Sequence, residues 1–200
     1  MDKLPYNTII LTAGSSERMG FWKPVLPYKA STLIETIADQ VLDFSTKVIV
    51  VGGYRGSELQ ALFSSRVRIE YVMNFNHLDG LFSSIQAALP LVDSSWFFVA
   101  LGDMPFIRKE TFFTLARASR NVSTLSSIFI PEYSKTKGHP VLFNSALIPD
   151  ILNARGYKTM REYPALKSAV LVPVDDPGVI MDIDTPEDYQ TFSWGEVSQL

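Results

Sequence analysis

The residues best suited to chemistry begin at Leu11-Thr-Ala-Gly-Ser-Ser-Glu-Arg-Met-Gly20 and run on through Phe21-Trp22-Lys23. Gly14 and Gly20 let a backbone turn sharply and come close to a ligand. Ser15 and Ser16 add hydroxyl donors, and Arg18 and Lys23 add positive charge. Backbone amides, hydroxyls and two cations together suit a triphosphate. Two common phosphate motifs do not fit. Gly20 is followed by Phe21, so there is no GxxxxGK(S/T), and no GxGxxG occurs here or at Gly52-Gly53-Tyr-Arg-Gly56. A solvated glycine turn explains any one of these residues; the whole string is better explained by phosphate binding.

Two acidic strings could hold a metal. Asp103, in Gly102-Asp103-Met-Pro105, follows the apolar run Trp96–Leu101. It either binds a cation or caps a helix near Lys109–Ser119. Mg²⁺ prefers hard oxygen ligands, often one or two carboxylates with phosphate oxygens and water. The second string is Met181-Asp-Ile-Asp-Thr-Pro-Glu-Asp-Tyr189. Here Thr185 reads as an N-cap, Pro186 as the first helical residue, and Glu187 and Asp188 as acids at the positive helix end. A helix start thus accounts for Asp184 to Asp188 and leaves Asp182 at the end of a strand expected over Val179–Met181. Two carboxylates, a divalent cation and a lysine meet the needs of phosphoryl transfer, which is positioning plus neutralisation of developing charge.

Such residues must converge at one edge of a sheet. Four apolar, β-branched or aromatic runs, Thr8–Leu11, Val48–Val51, Ile69–Met73 and Trp96–Leu101, read as strands buried on both faces. Helical patterns at Ser31–Leu42, Ser57–Phe63 and Leu81–Leu89 separate them, the first opening with the capping box Thr32-Leu-Ile-Glu35. Alternating strands and helices predict a mostly parallel sheet with right-handed crossovers. Ligands in such sheets sit beyond the C-terminal strand ends, where the glycine string and Asp103 both fall. The second half predicts strands at Ser127–Tyr133 and Pro140–Phe143 around a turn at Lys135–Gly138. Helical segments near Ala146–Asn153 and Thr159–Tyr163, a strand near Ala169–Val174 and a helix over Pro186–Phe192 follow. The expectation is α/β: a single domain over residues 1–200, with a mostly parallel Rossmann-like sheet flanked by helices and antiparallel additions in the second half.

The string Leu11-Thr-Ala-Gly-Ser-Ser-Glu-Arg-Met-Gly20-x-x-Lys23 resembles the LxAGxSxRMGxxK signature of the molybdenum-cofactor nucleotidyltransferases. These belong to a superfamily that includes sugar-phosphate and methylerythritol-phosphate nucleotidyltransferases. The resemblance implies the nucleotide-diphospho-sugar transferase-like fold. It also implies a nucleotide loop of Leu11, Thr12, Ala13, Gly14, Ser15, Ser16, Arg18 and Lys23, in which Lys23 contacts the phosphate under attack. Gly-Asp-Met-Pro resembles the family's GDMP, whose aspartate binds the metal, so Asp103 joins Lys23 and Arg18 as catalytic. The second acidic string resembles (N/D)xDTPxD, whose first position helps hold Mg²⁺; this points to Asp182 as second ligand, with Asp184 next. Gly80 and Ser84 match a GxxxS segment that lies against the nucleobase, and otherwise start a helix. Gly138-His139-Pro resembles GHPV, making His139 an acceptor contact or a structural histidine. His77 reads as structural. Phe21 and Trp22 either fold over the site or anchor the loop.

Ala13, Lys23-Pro-Val-Leu-Pro27 and Gly-His-Pro look like the cytidylyl branch of the family, whereas the guanylyl branch usually has glycine at position 13. Thr12 departs from the usual alanine. The implied reaction moves CMP from CTP to a phosphorylated, molybdopterin-type small-molecule acceptor and releases pyrophosphate. A phosphate acceptor is already ionised, so no general base is required. The same chemistry with GTP or another NTP and a sugar or alditol phosphate is the near alternative. A molybdoenzyme or cofactor-delivery protein is a further expected partner.

Composition sets the outer limits. The 200 residues are 46% hydrophobic and 20% charged, with net charge −3. That is an ordinary globular composition and lacks the basic excess of a nucleic-acid binder. With no cysteine, disulfides, thiolate metal sites and a cysteine nucleophile are excluded. The apolar run near the N-terminus is too short to span a membrane and has no signal-peptide pattern behind it, so the expected location is cytoplasmic, away from membranes. A dinucleotide-dependent oxidoreductase on a doubly wound sheet would need GxGxxG and a ribose-binding acid after the second strand, and Val50-Val-Gly-Gly-Tyr-Arg55 supplies neither.

Overall fold

The computed structural model describes residues 4–16, 19–121 and 127–194. Strand β1 (Leu4–Leu11) leads into the glycine loop. A small hairpin, β2 (Pro27–Tyr28) and β3 (Ser31–Thr32), precedes helix α1 (Leu33–Leu42). Then come β4 (Ser45–Gly52), α2 (Gly56–Phe63), β5 (Ile69–Met73), α3 (Leu81–Ala88), β6 (Trp96–Leu101) and α4 (Lys109–Asn121). The rest is β7 (Ile128–Tyr133), β8 (Thr136–Lys137), β9 (Val141–Asn144), α5 (Ile148–Asn153), β10 (Val170–Pro173) and α6 (Pro186–Trp194).

The main sheet runs β10-β7-β9-β6-β1-β4-β5, with β8 paired to β7. β5, β4, β1 and β6 are mutually parallel. β9 runs antiparallel to both β6 and β7, and β10 parallel to β7. Alternate residues of each strand face opposite sides. Ile10, Val48, Val50 and Phe98 therefore pack under α1, α2 and α4, while Ile9, Leu11, Ile49, Val51, Phe97 and Val99 pack against α3 and α5. Helices on both faces explain why these strands read as nearly unbroken apolar runs.

Local chemistry sets the element ends. Thr32 Oγ1 accepts from Glu35 N, and the Glu35 carboxylate accepts from Thr32 N, forming the expected capping box of α1. Burial alone would raise the Glu35 pKa, but hydrogen bonds from Thr32 and Ser31 hold it below its ordinary value. At the start of α6, Thr185 Oγ1 accepts from Asp188 N at 3.1 Å, and Asp188 accepts in return from Thr185 N at 2.8 Å. The tight turn between β7 and β8 has Ser134 and Lys135 both at positive φ, which matches the twist of the strands it joins.

Three expectations change. Val179–Met181 is not a strand: residues Pro177–Ile180 form a 3₁₀ turn. The fixed φ of Pro177 favours a helical turn, and the Asp176 carboxylate accepts from Gly178 N at 3.0 Å. Asp103 does not cap α4 either. Asp176 supports that helix start, accepting from Arg108 N at 2.9 Å and from Thr111 Oγ1 at 2.6 Å. The segment expected at Thr159–Tyr163 is a single 3₁₀ turn, Met160–Glu162.

A polar pair sits inside the sheet. Thr8 Oγ1 and Ser45 Oγ lie 2.7 Å apart, both fully buried. Thr8→Val would strand the Ser45 hydroxyl away from water, so urea unfolding should lose about 1–3 kcal/mol. Thr8→Val with Ser45→Ala removes both polar partners and should recover most of that loss; a double variant as unstable as the single one would contradict the pairing.

Candidate active site

The C-terminal ends of β1, β4 and β6 come together at one edge. Thr12 N donates to Val51 O at 3.0 Å, Gly102 N to Leu11 O at 2.9 Å, and Tyr54 N to Ala13 O at 3.2 Å. These contacts need glycine on either side. A Cβ on Gly53 would stand 2.9 Å from Ala13 O and 2.5 Å from the His77 side chain, and one on Gly102 would stand 2.9 Å from Thr12 Cβ. His77 thus has a packing role, as expected.

A cavity of about 550 Å³ opens at this edge. Its lining includes every loop residue from Leu11 to Ser16, together with Lys23, Asp103 and Asp184. Among the described residues, Pro24, Leu81, Leu101 and Gly102 complete it. Gly14 is exposed and has open space where a Cβ would be. Its bare backbone widens the cavity, whereas the sharp turning occurs at Ser16 (φ 58°) and Gly20 (φ 70°). Arg18 lies outside the described residues.

Lys23 is the centre of the cluster. Its Nζ donates to Asp103 Oδ2 at 2.6 Å and to Asp184 Oδ1 at 2.8 Å, with the side chains 14%, 24% and 20% exposed. Burial alone would depress the lysine, but Asp103 and Asp184 outweigh it and hold the ammonium above its ordinary pKa. Its backbone N donates to Ser16 Oγ at 3.1 Å, tying both ends of the loop together. Trp22 anchors the loop: it is buried, edge-on to Tyr54, with the Arg55 guanidinium 4.7 Å over its ring. Phe21 is 69% exposed.

The second acidic string divides differently from the sequence reading. Asp184, the next choice, is the residue in direct contact with Lys23, because Asp188 takes over the capping of α6. Asp182 is exposed beside the cluster. Burial and the neighbouring charges of Asp184 and Asp103 raise its pKa above the usual carboxylate value. Ile183 N donates to Asp103 O at 2.9 Å, binding this string to the end of β6. Among the described residues no set of three His, Asp or Glu side chains stands at metal-ligand spacing. The hard oxygens of Asp103 and Asp182 still suit Mg²⁺, which completes its shell with phosphate oxygens and water.

Two base-site candidates do not line this cavity. Ser84 is buried and its Oγ accepts from Asn74 Nδ2 at 3.0 Å. Gly80 has φ +101°, and a Cβ there would stand 2.4 Å from Lys158 O, so glycine is required to start α3. Both position α3, whose Leu81 is the residue that reaches the cavity. His139 lines a neighbouring cavity. Its Nδ1 is 3.5 Å from Val99 O, and burial pushes its pKa down, favouring the neutral ring. Sequence reasoning did not assign Pro24, Leu81, Leu101 and Gly102 to the site. Gly102 left a signal as a glycine between a strand and an aspartate, and Pro24 as part of the string that follows Lys23.

Comparison with known proteins agrees with this architecture. A family profile described as the MobA-like NTP transferase domain matches residues 8–171. The molybdenum cofactor cytidylyltransferase of Escherichia coli (strain K12) is 31% identical over 185 residues, covering 92% of this chain and 93% of that protein. The crystal structure of Rv0371c from Mycobacterium tuberculosis H37Rv superimposes with TM-score 0.78 at 21% identity, covering 96% of this chain and 100% of that one. The manganese complex of Rv0371c gives TM-score 0.67 at 20% identity, with coverage of 95% and 98%. At such identities the two structures speak to the fold alone. The profile and the Escherichia coli relative establish the lineage: the chain is a nucleotidyltransferase and belongs to the MobA-like NTP transferase domain family.

Proposed function

We propose that the chain transfers CMP from CTP to a phosphorylated, molybdopterin-type acceptor and releases pyrophosphate, with Mg²⁺ as the metal. The observation that carries this reading is the convergence of the glycine loop, Lys23, Asp103 and Asp184 on one cavity of about 550 Å³. Preference for cytosine is supported by Ala13, whose side chain is buried in the loop, and by the activity named for the Escherichia coli relative. A divalent metal is supported by the carboxylates at the cavity edge and by the manganese complex of Rv0371c.

The loop amides and the Ser15 and Ser16 hydroxyls donate to the triphosphate. Lys23 exchanges a carboxylate partner for an α-phosphate oxygen and stabilises charge that grows during in-line attack. Asp103 and Asp182 would hold Mg²⁺, and Asp184 keeps Lys23 aligned. When bound, Mg²⁺ neutralises phosphate charge and favours departure of pyrophosphate. The attacking phosphate is already an anion near neutral pH, so no residue here has to remove a proton.

Equilibrium binding of CTP and GTP, with and without Mg²⁺, tests the nucleotide. The expected outcome is Mg²⁺-dependent CTP binding at least about tenfold tighter than GTP, a difference of about 1.4 kcal/mol, and loss of the Mg²⁺ dependence in Asp103→Ala. A strong preference for GTP would remove the cytidylyl assignment. The two remaining acids separate by the readout they move. Asp182→Asn should raise the Mg²⁺ concentration needed for nucleotide binding, while Asp184→Asn should lower turnover with little change in that requirement. The reverse pattern in a Mg²⁺ titration would exchange their roles.

A further inference from the structure

Lys23 is carried on a short strap between the glycine loop and α1, and the strap is held by its carbonyls. Within the turn Lys23–Val25, Leu26 N donates to Lys23 O at 3.0 Å. Leu26 O accepts from Leu33 N at 2.9 Å, and Tyr28 O from Thr36 Oγ1 at 3.2 Å, which ties the strap to α1. Pro27 O accepts from the Tyr189 hydroxyl, which ties it to α6. The Tyr189 ring is half-buried and packs against the core that also holds Leu33 and Ile34 of α1.

The α6 segment therefore meets the strap twice. Asp184 takes Lys23 Nζ and Tyr189 takes Pro27 O, at sequence separations of 161 and 162 residues. Separations so nearly equal mean that the two segments run side by side in the same sense. Asp184 and Tyr189 also project from one fixed backbone: Tyr189 N donates to Thr185 O at 3.0 Å, and Asp184 N to Asp188 Oδ2 at 3.1 Å. A lysine ammonium is a point charge on a flexible stem, so its contact alone would let the strap pivot. A second bond at the other end removes that pivot. Packing does not call for the hydroxyl, because a phenylalanine ring would fill the same space.

We propose that Tyr189 is a positioning residue for Lys23: its hydroxyl, bonded to Pro27 O, fixes where the strap presents the ammonium to the cavity. This rests on the role given to Lys23 above and adds to it a residue that does not line the cavity. In the free protein the contacts of Lys23 with Asp103 and Asp184 share the task. When Lys23 exchanges a carboxylate for a phosphate oxygen, that share weakens and the Tyr189 bond keeps the strap in place. The hydroxyl therefore matters most in the loaded enzyme, where a misplacement of about 1 Å costs about 10²-fold in rate.

Two readouts separate positioning from packing. The first needs no substrate: the protein is treated with trace acetic anhydride, and acetylation of Lys23 is measured by mass spectrometry against the exposed Lys109 in the same sample. Tyr189→Phe should raise the relative Lys23 rate at least about threefold, the scale of one lost hydrogen bond, with Tm lower by no more than about 4 °C. The second uses CTP, Mg²⁺ and the molybdenum cofactor as acceptor. In Tyr189→Phe, kcat should fall at least about tenfold while KM for CTP holds within about twofold. Tyr189→Leu, which removes the ring as well, should add a clear fall in Tm. Unchanged Lys23 labelling in Tyr189→Phe overturns the proposal, as does faster labelling spread over all lysines or a change confined to KM. Absence of transfer by wild type would remove the proposed acceptor, and the labelling would then support or overturn the role of Tyr189 alone. Full turnover in Lys23→Ala would remove the mechanistic role of Lys23, and with it that of Tyr189, whatever nucleotide or acceptor is used.

Discussion

A single ammonium group holds the site together. Lys23 Nζ bridges Asp103, 80 residues away in sequence, and Asp184, 161 residues away. It thereby joins the loop after β1, the end of β6 and the segment before α6. Without it, two carboxylates would face each other in a partly buried space, where like charges disfavour ionisation. The lysine is presented by its own segment: its amide is bonded to Ser16, Trp22 is buried on one side and Pro24 on the other. The nucleotide-free site is thus organised by electrostatics and loop packing before any phosphate arrives. Under the proposed mechanism, phosphate binding substitutes one anionic partner of Lys23 for another, which is a small rearrangement for a large change in ligand.

Acidic residues share out two kinds of work. Asp176 and Asp188 are consumed by backbone amides: one supports α4 and the turn before Ile180, the other closes the cap of α6. Asp103 and Asp184 turn to Lys23. Asp188 lies four residues beyond Asp184 and accepts from its backbone N at 3.1 Å, so the capping acid also fixes the backbone from which Asp184 projects. A helix start and a chemical group are therefore parts of one motif, and the sequence string cannot be assigned wholly to either.

That is why legibility was uneven. The central strands and α1 to α3 were readable because each is buried along a simple period, and the Thr32–Glu35 box marks its helix unambiguously. The glycine loop, Lys23 and Asp103 were readable because strand ends in a parallel sheet share an edge. That Asp184 is the one to reach Lys23 was not, since it depends on Asp188 rather than Asp184 closing the cap of α6. Pro177–Ile180 misled for a related reason: Val179 and Ile180 are β-branched, but Pro177 and the Asp176 carboxylate fold the backbone into a turn. Ser84 looked like a polar group at a ligand edge, yet it is satisfied by Asn74, an interaction with no trace in spacing.

The reversed strand β9 explains why two cavities stand side by side. Parallel strands all end at the edge that carries the glycine loop, so their loops alone would line one crevice. β9 enters the sheet in the opposite sense, pairing Val141 with Val99 and Asn144 with Trp96. Its beginning, not its end, therefore lies beside the end of β6, and Gly138 and His139 arrive next to the cavity that holds Lys23 and Asp103. Gly138 has to be bare, because a Cβ there would stand 2.2 Å from Val179 O, in the same segment that carries Asp182 and Asp184. One antiparallel insertion thus brings a second wall and the acidic string to a common border. Two cavities that share a border suit a transferase, which has two substrates to bring together.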